Sequence, residues 1–118
     1  MLVRYKKSHG KIAMGLLSFM PTERNLKTLQ QTLHLYEENQ DWQLFLWKDK
    51  EDYTGLIGAK VDENHFTVHH ISVLPSHRGE GIGHAMTEEL QRFMQHRKMR
   101  ATKETKSFMA RCREKMGA

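Results

Sequence analysis

One strand, two helices, three strands and a further helix, read in chain order, predict an α/β (α+β) fold: a central, mixed, mostly antiparallel sheet flanked by helices. Three observations carry this expectation. Two stretches before residue 40 repeat their apolar residues at helical spacing. Three runs between residues 42 and 74 are rich in aromatic and β-branched residues and are separated by polar turns. A glycine-rich turn then feeds a third helical pattern. The expected order is β-α-α-β-β-β-α-(β)-α, where the strand in parentheses is a short one near residue 100.

The elements follow from the residues. Leu2 to Tyr5 can form a first strand. Ile12, Leu16, Phe19 and Met20 then recur at i, i+4, i+7 and i+8, one face of a helix that Pro21 should end. Leu26, Leu29, Leu33 and Tyr36 repeat with spacings of three, four and three, which predicts an amphipathic helix over about 23–38. The run Trp42 to Trp47 is too short for a typical helix and reads as a strand covered on both faces, with both tryptophans in the core. Tyr53 to Lys60 and His65 to Leu74 follow, each after a polar turn, so that three consecutive strands should pair antiparallel. Beyond the glycines, Ile82, Met86, Leu90, Phe93 and Met94 mark a helix reaching about Lys98. Lys98 to Thr102 reads as a short strand, and Phe108, Met109 and Cys112 belong to a last helix.

A chain of 118 residues is one domain's worth, residues 1–118, since domains cluster near roughly 100 to 150 residues. Its longest apolar run, Ile12 to Met20, is far short of the roughly 20 residues that span a bilayer, so no membrane association is expected. The single cysteine, Cys112, allows neither an internal disulfide nor a cysteine-based zinc site, and a reducing cytoplasm is the natural location. Residues 1–75 balance nine basic against nine acidic groups, so the net charge of +5 lies entirely in residues 76–118. Such a segment can meet nucleic acid, an acidic surface or a polyphosphate cofactor.

The segment from His70 to His84 chooses among these partners. There a strand passes through Pro75-Ser76-His77-Arg78-Gly79-Glu80-Gly81-Ile82-Gly83 into a helix. At a helix start the first N–H groups lack intrahelical acceptors and the dipole is positive, so phosphate oxygens can use both. Glycine lets a pyrophosphate approach the main chain, and Arg78 adds a permanent charge beside it. No Lys-Ser/Thr follows the glycines, which excludes a P-loop. A dinucleotide fingerprint would need its third glycine at His84 or Met86, which excludes that motif as well.

Arg78, Gly81 and Gly83 fit the Arg/Gln-x-x-Gly-x-Gly/Ala motif of the GNAT family of N-acetyltransferases. The surrounding string Val73-x-Pro75-x-x-Arg78-Gly79-x-Gly81-Ile82-Gly83 and the order of elements resemble that family too. The opening Tyr5-Lys6-Lys7-Ser8 and the run Ile12 to Pro21 resemble in particular the small acetyltransferases encoded in riboflavin operons of Gram-positive bacteria. The resemblance implies a GNAT fold and an enzyme that moves acetyl from acetyl-CoA, its cosubstrate, to a primary amine by direct attack in a ternary complex. It also implies that the main chain of Ile71, Ser72 and Val73 holds the pantetheine arm and acetyl group, with a backbone N–H near Val73 at the oxyanion. Arg78, Gly79, Glu80, Gly81, Ile82, Gly83 and His84 would bind the pyrophosphate. The acceptor site would form around Phe19 to Arg24.

A base must accept a proton from the amine, and histidine can do so near neutral pH. Strand alternation sets His65 and His69 on one face with Ile71 and Val73, and His70 on the other with Phe66 and Val68. His69 is therefore the candidate catalytic base. It also matches a histidine of the family's arylalkylamine branch, while Glu63 is an alternative acting through water. No tyrosine follows Tyr53, and the family's usual acid, a tyrosine on the last helix, is met by Met109. A water, Cys112 or no dedicated acid remains. No metal is expected, because the histidines project to opposite faces without supporting carboxylates. The alternatives are a catalytically weak acetyl-CoA-binding regulatory module and, less favoured, a basic nucleic-acid-binding protein, for which no recognised motif is present. Apolar surface near the short C-terminus could pair two copies in a homodimer.

Overall fold

The computed structural model describes the backbone of residues 1–23 and 25–117, and the side chains within that range as far as Ala110. The strands are β1 (Leu2–Arg4), β2 (Trp42–Asp49), β3 (Asp52–Val61), β4 (His65–Val73) and β5 (Lys98–Ala101). The helices are α1 (Gly10–Leu17), α2 (Leu26–Glu38), α3 (Ile82–Met94) and α4 (Lys103–Gly117). One five-stranded sheet runs in the order β1-β2-β3-β4-β5, antiparallel except for the parallel β4–β5 pair. Among the described residues no helix is long and apolar enough to cross a membrane.

Each face of the sheet buries its own core. On one, Phe45, Ile57, Phe66, Val68, Ile71 and Val73 pack against Met86, Leu90 and Met94 of α3 and Met109 of α4. On the other, Leu44, Leu46 and Leu56 pack against Ala13, Leu16 and Leu17 of α1 and Leu33 and Tyr36 of α2. Trp42 and Trp47 are partly buried, one against each core.

The helices differ in detail from the expectation. Helix α1 buries Ala13, Leu16 and Leu17, while Ile12 and Phe19 are 40% and 42% exposed. The small Ala13 had hidden the true face, and the helix stops at Leu17, before Pro21. Helix α2 begins at Leu26, not near residue 23, because Asn25 caps it. The Asn25 Oδ1 accepts from the Thr28 amide at 2.9 Å, and Leu26 itself is left exposed. Helix α3 ends at Met94, since Gln95 adopts a left-handed φ of 56°.

Strand β4 departs most from simple alternation. Gly58 pairs with His70 and Ala59 with Val68, so His69 is an extra, unpaired residue in a β-bulge. The bulge restarts the alternation. Phe66 and Val68 therefore share a core with Ile71 and Val73, and His70 turns to the α1/α2 face with Ser72, whose Oγ donates to the Leu16 carbonyl at 2.7 Å. This corrects the expected assignment, which had put His70 with Phe66 and Val68 and His69 with Ile71 and Val73.

Strand β5 pairs with β4 only over residues 65–68. At Val68 the Thr105 Oγ1 donates to the carbonyl at 2.7 Å, and past it no strand among the described residues pairs with β4 on that side.

Candidate functional site

Where β4 and β5 part, a cleft of about 360 Å³ opens between the end of β4, the turn before α3 and the first turns of α4. Ile71, Ser72, Val73, Arg78, Gly79, Gly81, Ile82 and Gly83 line it, together with Phe19, Met20 and Pro21 on one side and Glu104, Thr105 and Phe108 on the other. Glu80 and His84 do not. Glu80 faces His77, with its Oε1 3.3 Å from His77 Nδ1, and His84 Nε2 lies 2.8 Å from Glu88 Oε1.

The free edge of β4 supplies the floor. Ile71 N–H donates to the thioether sulfur of Met20 at 3.3 Å, a weak acceptor, so this amide points away from β3. Strand geometry turns the Val73 amide to the same edge. The Val73 carbonyl, also on this edge, accepts from Arg78 Nε at 3.1 Å, and the guanidinium lies over the Phe19 ring at 5.7 Å. Arg78 is thus oriented at the mouth by two contacts.

Gly79 and Gly81 have φ of 85° and 83°, a left-handed backbone that other residues enter only with strain. Gly81 is the N-cap of α3 and brings no side-chain acceptor, so the first amides of the helix point outward unclaimed by a cap. Such a turn has the geometry to cradle an anion. Phe108 contributes an apolar wall. Met109 turns away and is 7% exposed in the core, so the residue aligned with the family's tyrosine does not reach the cleft. The side chain of Cys112 lies outside the described residues.

A second, more open cleft of about 520 Å³ shares the Phe19–Met20–Pro21 wall and continues past Glu23 to Asn25 and Leu29. Glu23 is only 5% exposed. Its Oε1 accepts from Thr32 Oγ1 at 2.8 Å and faces His70 Nε2 at 3.1 Å, while Oε2 has no hydrogen-bond partner among the described residues. The Tyr36 hydroxyl meets His70 Nδ1. Burial pushes the His70 pKa down, against the pull of the Glu23 charge and hydrogen bond, and burial pushes the Tyr36 hydroxyl up. A neutral imidazole protonated on Nε2 fits all three groups: it donates to Glu23 and accepts from Tyr36.

His69 lines neither cleft. Its ring packs on Trp42, with centroids 4.5 Å apart, and its pKa is lowered by burial and then by the charge of Lys60, with Glu104 opposing. Glu63 lies in the β3–β4 turn, ten residues before Val73 and so roughly 30 Å away along the strand. Sequence reasoning missed Glu23, Tyr36, Met20 and Phe108 as site residues. Only Glu23 and Met20 carried a signal, as members of the expected acceptor segment.

The acetyltransferase (GNAT) family's sequence pattern matches residues 14–113, spanning strands β2 to β5, both clefts and the glycine turn. The chain belongs to the GNAT family. A curated GNAT relative, "Uncharacterized N-acetyltransferase in lysA 3'region" of Bacillus methanolicus, is 51% identical over 113 residues, 95% of this chain and 94% of that protein. Among solved structures, the aminoglycoside N-acetyltransferase AAC(6')-Iy in complex with CoA superposes with a TM-score of 0.78 at 16% identity, over 99% of this chain and 86% of that one. The ribosomal-protein-S18-alanine N-acetyltransferase of Escherichia coli gives 0.66 at 13% identity, over 80% of this chain and 58% of its own. At such identities the likeness is one of GNAT fold. The cleft sits at the splayed strands of that fold.

Proposed function

We propose that this GNAT protein is an N-acetyltransferase that carries acetyl from acetyl-CoA to a primary amine by direct attack in a ternary complex. The observation that carries the reading is the 360 Å³ cleft, because it joins an open strand edge to an anion cradle. Around Ile71, Ser72 and Val73, main-chain groups hold the pantetheine arm and present the Val73 N–H to the acetyl oxygen. Arg78 and the turn Gly79-Glu80-Gly81-Ile82-Gly83-His84 hold the pyrophosphate, mainly through backbone amides. The CoA-bound fold neighbour and the N-acetyltransferase name of the 51% identical relative support this assignment.

The chain's own groups orient the acetyl donor, exclude water with Phe19 and Phe108, and supply a base, for which His69 and the Glu23–His70 pair are the titratable candidates. A cytoplasmic location, one domain over residues 1–118 and an amine of the riboflavin pathway as acceptor complete the reading, the last resting on the operon resemblance alone. Pairing of two copies would use exposed apolar side chains such as Phe93. A second reading, a catalytically weak acetyl-CoA-binding module, draws on the burial of Met109, which leaves no tyrosine hydroxyl in the cleft.

Calorimetric titration with acetyl-CoA, against ATP and NAD as controls, tests the proposal. Selective one-site binding followed by amine-dependent thiol release is expected. Absence of acetyl-CoA binding overturns it, and binding without turnover on any amine selects the module.

A further inference from the structure

A carboxylate oxygen kept from water with no donor is costly, by about 1–3 kcal/mol or more for a charged group. Glu23 accepts that arrangement in an unusual way. Thr32 and His70 both hold Oε1, which fixes the carboxylate plane, while Oε2, on a side chain that lines the second cleft, has no partner among the described residues. The cleft shares Phe19, Met20 and Pro21 with the one at the strand splay, and Met20 itself touches Ile71 N–H. His70 is the residue immediately before Ile71. An amine seated at Glu23 would thus adjoin the end of β4 to which the acetyl group is assigned. The side chain that lines the cleft beyond Glu23 is chiefly apolar, Leu26 and Leu29 with Phe19.

We propose that Glu23 binds the acceptor: its Oε2 seats the ammonium of a cationic primary alkylamine whose apolar body lies along Phe19, Leu26 and Leu29. This rests on the acetyltransferase reading and names the substrate class of that site. An ammonium brings the donors that Oε2 lacks and a charge opposite to the carboxylate. Glu23 then takes one of its three protons, which frees the nitrogen lone pair. As nitrogen bonds the thioester carbonyl carbon, the carbon–sulfur bond breaks. A second proton leaves with the sulfur as thiol, the third stays on the amide nitrogen, and the proton on Glu23 returns to water. His70, Tyr36 and Thr32 act through Glu23 as positioning residues.

The test compares wild type, Glu23→Gln and Glu23→Asp with butylamine, an ammonium at neutral pH, and aniline, which is uncharged there. Thiol release gives kcat/KM, and calorimetry gives the acetyl-CoA Kd of each protein. Glu23→Gln is expected to lower kcat/KM for butylamine about 100-fold, to spare aniline, and to leave the acetyl-CoA Kd unchanged. Glu23→Asp should recover part of the loss, and butylammonium should shift the His70 imidazole resonances in wild type but not in Glu23→Gln. Wild-type kcat/KM in Glu23→Gln, equal losses with both acceptors, or a wild type that binds acetyl-CoA yet acetylates neither amine would overturn the inference. A wild type that fails to bind acetyl-CoA removes the acetyltransferase reading itself, a separate result.

Discussion

Nε2 of His70 lies 3.1 Å from Oε1 of Glu23, joining strand β4 to the α1–α2 connection across 47 residues of chain. Both side chains are buried, and the pair is completed by Tyr36 from α2. The contact ties the wall of the second cleft to the strand that floors the first.

The pair makes stability depend on pH. Burial holds the His70 pKa below its ordinary value despite Glu23, with His69 adding to the depression, and His69 is itself depressed by burial and Lys60 against Glu104. The folded protein therefore binds fewer protons than the unfolded chain just below the free-histidine pKa of about 6.5. This contribution is complete above about pH 6.5 and is lost as pH falls through the depressed folded values. Thermal unfolding should give a lower Tm near pH 5 than near pH 7.5, with a shallower slope in His70→Gln.

Gly58 faces Tyr36 at close range. A Cβ built there runs into the Tyr36 hydroxyl and ring and the Leu44 side chain. Gly58→Ala should destabilise by about 1–3 kcal/mol, read as a fall in the urea midpoint. It should also displace the tyrosine from His70, visible as a changed His70 resonance.

Gly81 and Arg78 separate shape from charge at the anion cradle. Gly81→Trp puts a bulky side chain on a backbone with φ of 83° and should abolish acetyl-CoA binding in calorimetry. Arg78→Gln keeps the turn but removes the charge, and about a tenfold weaker Kd is expected from a lost charged hydrogen bond.

Helix α4 offers a paired substitution. Phe108 lines the cleft and Met109 lies in the core. Phe108→Tyr adds a hydroxyl to the cleft wall and, with acetyl-CoA seated there as proposed, should raise kcat several-fold. Met109→Tyr at the adjacent position should leave kcat unimproved and lower Tm, by the cost of overpacking, about 1–3 kcal/mol.

The elements and the glycine turn were legible because each rests on a local pattern: period 3.6 in Leu26 to Tyr36, an aromatic run in Trp42 to Trp47, glycines at 79, 81 and 83 ahead of an apolar helix face. The orientation of β4 was not. Alternation assumes one residue opposite one, and nothing local marks His69 as surplus, since the extra residue is defined by its pairing with Gly58 and Ala59. Glu23 was hidden for a related reason. A glutamate after Pro21-Thr22 reads as an exposed helix start, and only the fold brings Thr32, Tyr36 and His70 around it. The inner face of α1 was obscured by its own Ala13, a small residue that contributes little to any apolar pattern.

The bulge at His69 behaves as a change of parity in the strand. Residues before it and after it count even and odd from different origins, so the two halves of β4 can be addressed independently. The first half is locked to β5, and the second lines the cleft. Deleting the one residue would restore a single count along the strand. Either half would then have to exchange its inner and outer side chains: Phe66 and Val68 would leave their core, or His70 and Ser72 would be turned into it.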